Sequence, residues 1–377
     1  MILKNATILD GEFNPVRADV RTEGETIAEI APGLSGEDTV DLTGCTVVPG
    51  FVDIHIHGCV GADTCDGTRE AVARMAKHLL AEGVTSFCPT TMTVSAELLE
   101  TTLAAVRDCM INPPEGASVR GVNMEGPFIS PKKAGAQKPD YIKAPDWETF
   151  KGMYDRCGGI IKLVDIAPEC EGAERFIREA SKICRVSIAH TCADYGQATA
   201  AFGQGITHAT HLFNAMTGLS HREPGVVGAI FDSRSVRAEI ICDGFHIHPA
   251  VFRTAFRLLG EDRTVVVSDS MRAAGLADGV SELGGQKVFV KDGQARLASG
   301  AIAGSTTNLH DEIRNLVAFG VPFRQAVKSA TINPATAIGE DRRIGSIRAG
   351  KAADLVALDP ALNIRFIVAH GKAFRPQ

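Results

Sequence analysis

The sequence predicts a (β/α)8 TIM-like barrel carrying a small β-sandwich domain formed by the N- and C-terminal segments. Three observations lead there. Strand-like runs and helical patterns alternate through the middle of the chain, the pattern of a parallel sheet with helical crossovers. Eight such runs fit into roughly 220 residues, the repeat number and length of a (β/α)8 barrel. Both chain ends read as short strands separated by turns. The expected division is residues 1–49 with 346–377 for the β-sandwich and 50–345 for the barrel. A doubly wound sheet is the competing architecture, because periodicity does not report closure.

Each element has its own signal. Residues 1–49 contain ILKNATILDGEF, with a turn at Asp10–Gly11, then ADVRTEGETIAEIAPG and TVDLTGCTVVPG. SIRAGKAADLVALDP and LNIRFIVAHGKAF repeat that character at the other end. The eight barrel runs are FVDIHIHG (51–58), VTSFCPT (84–90), VRGVNMEG (119–126), IIKLVDIAP (160–168), VSIAHT (186–191), THATHLFN (207–214), RAEIICDG (237–244) and RTVVVSDS (263–270). Amphipathic patterns such as REAVARMAKHLLAEG and GAERFIREASKIC lie between them. After the eighth run, QKVFVKDGQARLAS reads as a hairpin around Asp292–Gly293, and a helix is expected to start near Ser305.

Composition narrows the function. The 377 residues are 45% apolar and 22% charged, which is ordinary for a soluble globular protein. A formal net charge of −6 gives no field favouring nucleic acid or an anionic membrane. Lys4, Asn5 and Thr7 interrupt any signal-peptide core, and no apolar run has membrane-spanning length. Ten cysteines are scattered without a CxxC pair. That usage fits reduced thiols and a cytoplasmic location.

The polar residues fall in one place. Catalytic groups of a barrel come from the C-terminal ends of its strands. Those ends here carry His55 and His57, Glu125, His190, His211, His246 and Asp269. His55 and His57, two apart in a strand, point to one face. Converging imidazoles and carboxylates of this kind suit one or two divalent ions. Glu125 is placed to bridge two sites, with His190 and His211 on one side. The donor set suits Zn2+, Fe2+ or Mn2+, with zinc expected first on prevalence. His78, His208, His310 and His370 are expected to be structural or surface residues.

At these residues the chain resembles a known family. PGFVDIHIHG is similar to the first-strand signature of the amidohydrolase superfamily. EGPF, IAHT, THLFNAM, REPG, CDGFH and VSDSM resemble the N-acetylglucosamine-6-phosphate deacetylases within it. The resemblance extends over nearly the whole chain. It implies Glu125, His190 and His211 as the main metal ligands, and His55 and His57 as ligands of a second ion. It implies Asp269 as the catalytic acid/base that also touches the second metal. Ala136, Gln137, Asn214, Ala215, Arg222 and His246 are implied as substrate contacts. Ile302, Ala303 and Gly304 are implied in a loop closing over the sugar. It further implies a homodimer in which Arg222 reaches the neighbouring site.

The resemblance leads to an expected reaction, hydrolysis of N-acetylglucosamine 6-phosphate to glucosamine 6-phosphate and acetate. N-acetylgalactosamine 6-phosphate is the alternative substrate, and a non-catalytic sugar-phosphate sensor is the alternative function. Two departures stand out. The lysine that many superfamily members carry at the end of strand four is missing there, since Lys162 lies near the strand's beginning. Gln137 stands where many deacetylases have histidine, so it can donate a hydrogen bond to a substrate carbonyl but carries no charge.

Overall fold

The computed structural model describes residues 1–375; Pro376 and Gln377 lie outside the described residues. Eight parallel strands occur in sequence order: β1 Phe51–Ile56, β2 Val84–Thr91, β3 Val122–Met124, β4 Ile161–Ile166, β5 Arg185–Ile188, β6 His208–Ala209, β7 Arg237–Ile240 and β8 Thr264–Val266. Each pairs with the next along the chain. Closure is made past the end of β8, where the Asp269 amide donates to the His55 carbonyl at 2.9 Å and the His57 amide donates to the Ser270 carbonyl at 2.9 Å. These two bonds decide between barrel and open sheet, and they are made by candidate site residues.

Eight helices follow the strands: α1 Arg69–Ala81, α2 Ala96–Ile111, α3 Trp147–Arg156, α4 Ala173–Ala180, α5 Tyr195–Gln204, α6 Gly225–Asp232, α7 Pro249–Arg263 and α8 Leu309–Ala318. In α1, Val72, Met75, Ala76, Leu79 and Leu80 are buried at helical spacing, and the Thr68 side chain caps the N-terminus by accepting from the Ala71 amide. α8 begins later than the sequence suggested. Asn308 is its cap, accepting from the Asp311 amide. Ser305 is instead tied to the end of β8, its amide donating to the Asp269 carbonyl at 2.7 Å.

The chain ends form two sheets. Ile2–Lys4, Asp19–Glu23, Thr26–Ala31 and Thr39–Asp41 make one. Thr7–Leu9, Pro15–Arg17 and Thr46–Pro49 join Leu355–Leu358, Ile364–Ala369 and Lys372–Phe374 in the other. Leu3, Val20 and Ile27 from the first sheet pack with Ile8, Val47, Leu355 and Phe366 from the second in a core separate from that of the barrel. This is the sandwich packing expected of two sheets with apolar inner faces. We propose that 1–49 with 346–377 behave as a domain beside the barrel of 50–345.

A third sheet rises over the barrel mouth. The expected hairpin is there as Gln286–Lys291 and Gln294–Leu297, and Gly279–Leu283 adds a strand that the sequence did not reveal. Four of the five residues of that strand are not buried, so it carries no hydrophobic alternation to read. Gln286 donates to the Ala136 carbonyl at 2.6 Å and ties this flap to the segment after β3.

That segment is anchored by an aromatic cluster. Phe128, three residues beyond Glu125, has its ring 4.8 Å from Phe176 of α4, which lies 5.0 Å from Phe150 of α3. All three rings are buried. Phe176→Ala removes the central ring, and large-to-small changes at such sites cost about 3–5 kcal/mol. Equilibrium urea unfolding should show a loss of that order; a loss under about 1 kcal/mol, within the range of ordinary surface changes, would contradict this role.

Candidate active site

The ends of β1, β3, β5, β6 and β8 bring four imidazoles and two carboxylates into contact. Glu125, just past β3, lies at the centre. Its Oε1 is 3.0 Å from His190 Nε2 and 3.0 Å from His211 Nε2. Its Oε2 is 3.2 Å from His57 Nε2. Asp269 Oδ1 lies 3.1 Å from the same His57 nitrogen and 3.6 Å from His55 Nε2. All of these residues are buried.

The tautomers explain the geometry. His55 Nδ1 faces Glu239 Oε2 at 2.8 Å, His57 Nδ1 faces the Thr90 carbonyl at 3.3 Å, and His190 Nδ1 faces the Lys133 carbonyl at 2.8 Å. An acceptor opposite Nδ1 keeps the proton there and turns the Nε2 lone pair inward. His190 Nε2 and His211 Nε2 stand 3.1 Å apart. His55 Nε2 is buried and without a hydrogen-bond partner. Lone pairs aimed at one another around a carboxylate are a poor arrangement for protein alone and a good one around cations. Two triads meet this requirement, His55–His57–Glu125 and Glu125–His190–His211, each with its ligand atoms within 4.8 Å of one another. The donor set therefore fits one or two divalent metal ions sharing Glu125.

Electrostatics agree. Burial opposes ionisation of Glu125, but the imidazoles of His190, His211 and His57 around it outweigh burial and hold the carboxyl well below its usual range. Burial likewise opposes ionisation of Asp269, and the neighbouring His57 and His55 imidazoles outweigh it and lower its pKa. Asp269 is thus favoured in its carboxylate form, the form that accepts a proton.

Local backbone strain marks the same positions. His190, His211 and Asp269 have φ of 43°, 31° and 47°, and Ala215 has 51°. Left-handed backbone costs a non-glycine residue roughly 1–2 kcal/mol. Nothing in residue type announces it. At these strand ends it accompanies the turn of three site side chains toward the barrel axis.

A cavity of about 390 Å3 opens over the cluster. Ala136, Gln137, Asn214, Ala215, His246, Ile302 and Gly304 line it beside the candidate ligands. Ala303 is fully buried beneath this lining, its amide donating to the Ala295 carbonyl. Arg222 is exposed and outside the cavity of its own chain. Gln137 departs from the sequence reading. Its amide nitrogen donates to Glu125 Oε2 at 2.5 Å and its oxygen accepts from the Thr93 amide at 2.6 Å. In this arrangement one of its two N–H donors is engaged on Glu125 and the other faces Met92 Sδ at 3.6 Å. Lys162 pairs with Glu340 at 3.0 Å, away from the cluster.

Several cavity or supporting residues escaped the sequence reading. Lys132, Lys133, Met92 and Leu283 line the cavity, and no spacing pattern distinguishes them. Glu239 and His208 form a buried pair at 3.0 Å beneath His55. A lone carboxylate inside the apolar run of RAEIICDG was the available signal for Glu239.

Comparison with known proteins places this geometry. The profile described as "Amidohydrolase family" matches residues 46–374. The chain belongs to the amidohydrolase family. This amidohydrolase is 37% identical over 330 residues to the N-acetylglucosamine-6-phosphate deacetylase of Bacillus subtilis (strain 168), covering 86% of this chain and 83% of that protein. It is 35% identical over 326 residues to the N-acetylgalactosamine-6-phosphate deacetylase of Escherichia coli O157:H7, covering 86% of each. The crystal structure of N-acetylglucosamine-6-phosphate deacetylase from Pasteurella multocida superposes with a TM-score of 0.94 at 28% identity, covering 99% of both chains.

In this amidohydrolase the placement of Glu125 is set by the turn at Gly126. Its φ is +82°, and a Cβ there would lie 2.0 Å from Thr93 Oγ1. Gly126→Ala must displace the Thr93 side chain or the turn that carries Glu125. Metal affinity, measured by titration of the chelator-stripped protein, is expected to fall by roughly tenfold or more. Wild-type affinity in the variant would show that Glu125 does not depend on this turn.

Proposed function

We propose that this amidohydrolase removes the acetyl group from N-acetylglucosamine 6-phosphate, giving glucosamine 6-phosphate and acetate. The observation that carries this reading is the shared Glu125 between two imidazole pairs, with the Asp269 carboxylate beside it at the floor of the cavity. The names of similar proteins supply the substrate class.

Zinc is our choice among the divalent ions that His55, His57, Glu125, His190 and His211 would hold. Such an ion supplies Lewis acidity toward an amide carbonyl and lowers the pKa of water beside it. Asp269 takes a proton from water as the new carbon–oxygen bond forms at the acetyl carbon. It then delivers that proton to the nitrogen as the carbon–nitrogen bond breaks. One carboxylate serves both steps because they are successive. Gln137 keeps Glu125 oriented. Asn214, Ala215 and His246 hold the phosphate end, and Ile302 and Gly304 lie against the sugar. Anchoring remote from the reacting bond lowers the barrier through positioning.

Arg222 completes the phosphate site from a second copy of the chain. Its exposure, and that of nearby Leu219 at 59%, support a homodimer. All ten cysteines are free, in keeping with the cytoplasmic location we propose. Among the described residues no helix is long and apolar enough to cross a membrane.

Acetate release from N-acetylglucosamine 6-phosphate by the metal-loaded protein tests the reading. Asp269→Asn should lower kcat by about 10²–10⁴-fold, and absence of release by the wild-type protein would overturn the substrate assignment. Parallel rates on N-acetylgalactosamine 6-phosphate decide the C4 preference. A pH series tests the phosphate anchor. Burial opposes a charge on His246, but its 2.7 Å contact with Asp243 outweighs this and raises its pKa. The cationic form therefore persists to higher pH than usual, and its help in binding is lost as pH rises through the raised value. Asp243→Asn should move the rise in KM to lower pH while kcat changes little; an unmoved KM profile would remove His246 from phosphate binding.

A further inference from the structure

Glu239 lies on β7, fully buried, outside the ligand set and outside the cavity lining. Its two oxygens are both used. Oε2 accepts from His55 Nδ1 at 2.8 Å and, more weakly, from the His211 amide at 3.3 Å. Oε1 faces His208 Nε2 at 3.0 Å. Among the described residues its ion-pair partners are these two histidines, with no lysine or arginine. A buried carboxylate without a cationic partner is costly. A carboxylate behind an imidazole whose other nitrogen holds a metal has that partner, because the positive charge is transmitted through the ring.

The imidazoles differ in what orients them. His57 and His190 hold their Nδ1 protons on the Thr90 and Lys133 main-chain carbonyls. His211 Nδ1 has no partner. Only His55 among the four depends on a side chain for its tautomer, and only His55 presents an Nε2 that nothing in the protein satisfies.

We propose that Glu239 is the positioning residue for the His55–His57–Glu125 metal site, fixing His55 with its Nε2 lone pair toward the cavity, and that His208 fixes Glu239 in turn. Loss of Glu239 then empties this site selectively, leaving Glu125–His190–His211 loaded. The inference rests on the two-ion form of the proposed active site.

The test uses the full chain, stripped with chelator and titrated with Zn2+, followed by metal content after desalting. Wild type should take up two equivalents. Glu239→Leu should take up one, as should His55→Ala. Glu239→Gln, isosteric and able to accept one hydrogen bond, should keep two while the weaker site loses about 10–100-fold in affinity. Histidine nitrogen NMR of the stripped protein should show His55 protonated at Nδ1 in wild type and not in Glu239→Leu. A folded Glu239→Leu protein binding two ions at wild-type affinity would overturn the proposal. So would equal weakening of both sites, the mark of a general structural role. If Glu239→Leu does not fold, unchanged affinities in Glu239→Gln overturn it instead. A wild-type protein that holds one ion yet releases acetate overturns the proposal and leaves the deacetylase reading intact.

Discussion

Glu125 is a buried carboxylate whose two oxygens are approached by three imidazoles, and the organisation of the barrel mouth follows from that constraint. A charge removed from water needs compensation from every direction it faces. Here compensation comes from side chains at the ends of β1, β5 and β6, so these strand ends must converge on Glu125. The closing backbone bonds between β1 and the end of β8 lie at His55, His57 and Asp269. Barrel closure and site assembly are thus made by the same residues.

The surrounding structure restricts how Glu125 can move. Gly126 turns in left-handed backbone against Thr93, whose amide holds Gln137, whose side chain holds Glu125. Two residues on, Phe128 docks the loop into the aromatic cluster of α3 and α4. Gln286 then fastens the overlying flap to Ala136. Each contact is modest alone, but together they restrict the orientation of Glu125, as a metal site would need from the residues behind its ligands. Strained backbone at His190, His211 and Asp269 fits the same account, since its cost is met by the packing that fixes these strand ends.

Gln137 shows how a residue type can be legible in the sequence while its protein partners are not. An amide can donate, and the expectation was donation to substrate. The amide is instead buried and shared between Glu125 and the Thr93 main chain. Donors in a crowded polar cluster go to the nearest buried charge, because an unsatisfied carboxylate there costs more than an unpaired amide. Sequence supplies the donor but not the competition for it.

Much of this protein is written in short-range sequence. Alternating strand and helix patterns, turn residues, and the positions of His55, His57, Glu125, His190, His211 and Asp269 at strand ends are local properties, and the barrel with its rim of ligands follows from them. The tertiary structure alone decided three things. It closed the sheet, because closure is a hydrogen bond between the first and last strands, more than 200 residues apart. It placed Glu239 behind His55 and Gln137 on Glu125, because hydrogen-bond partners are chosen by distance in space. It left Arg222 exposed and outside its own cavity, because a side chain's place relative to a cavity depends on where the backbone carries it and not on its charge.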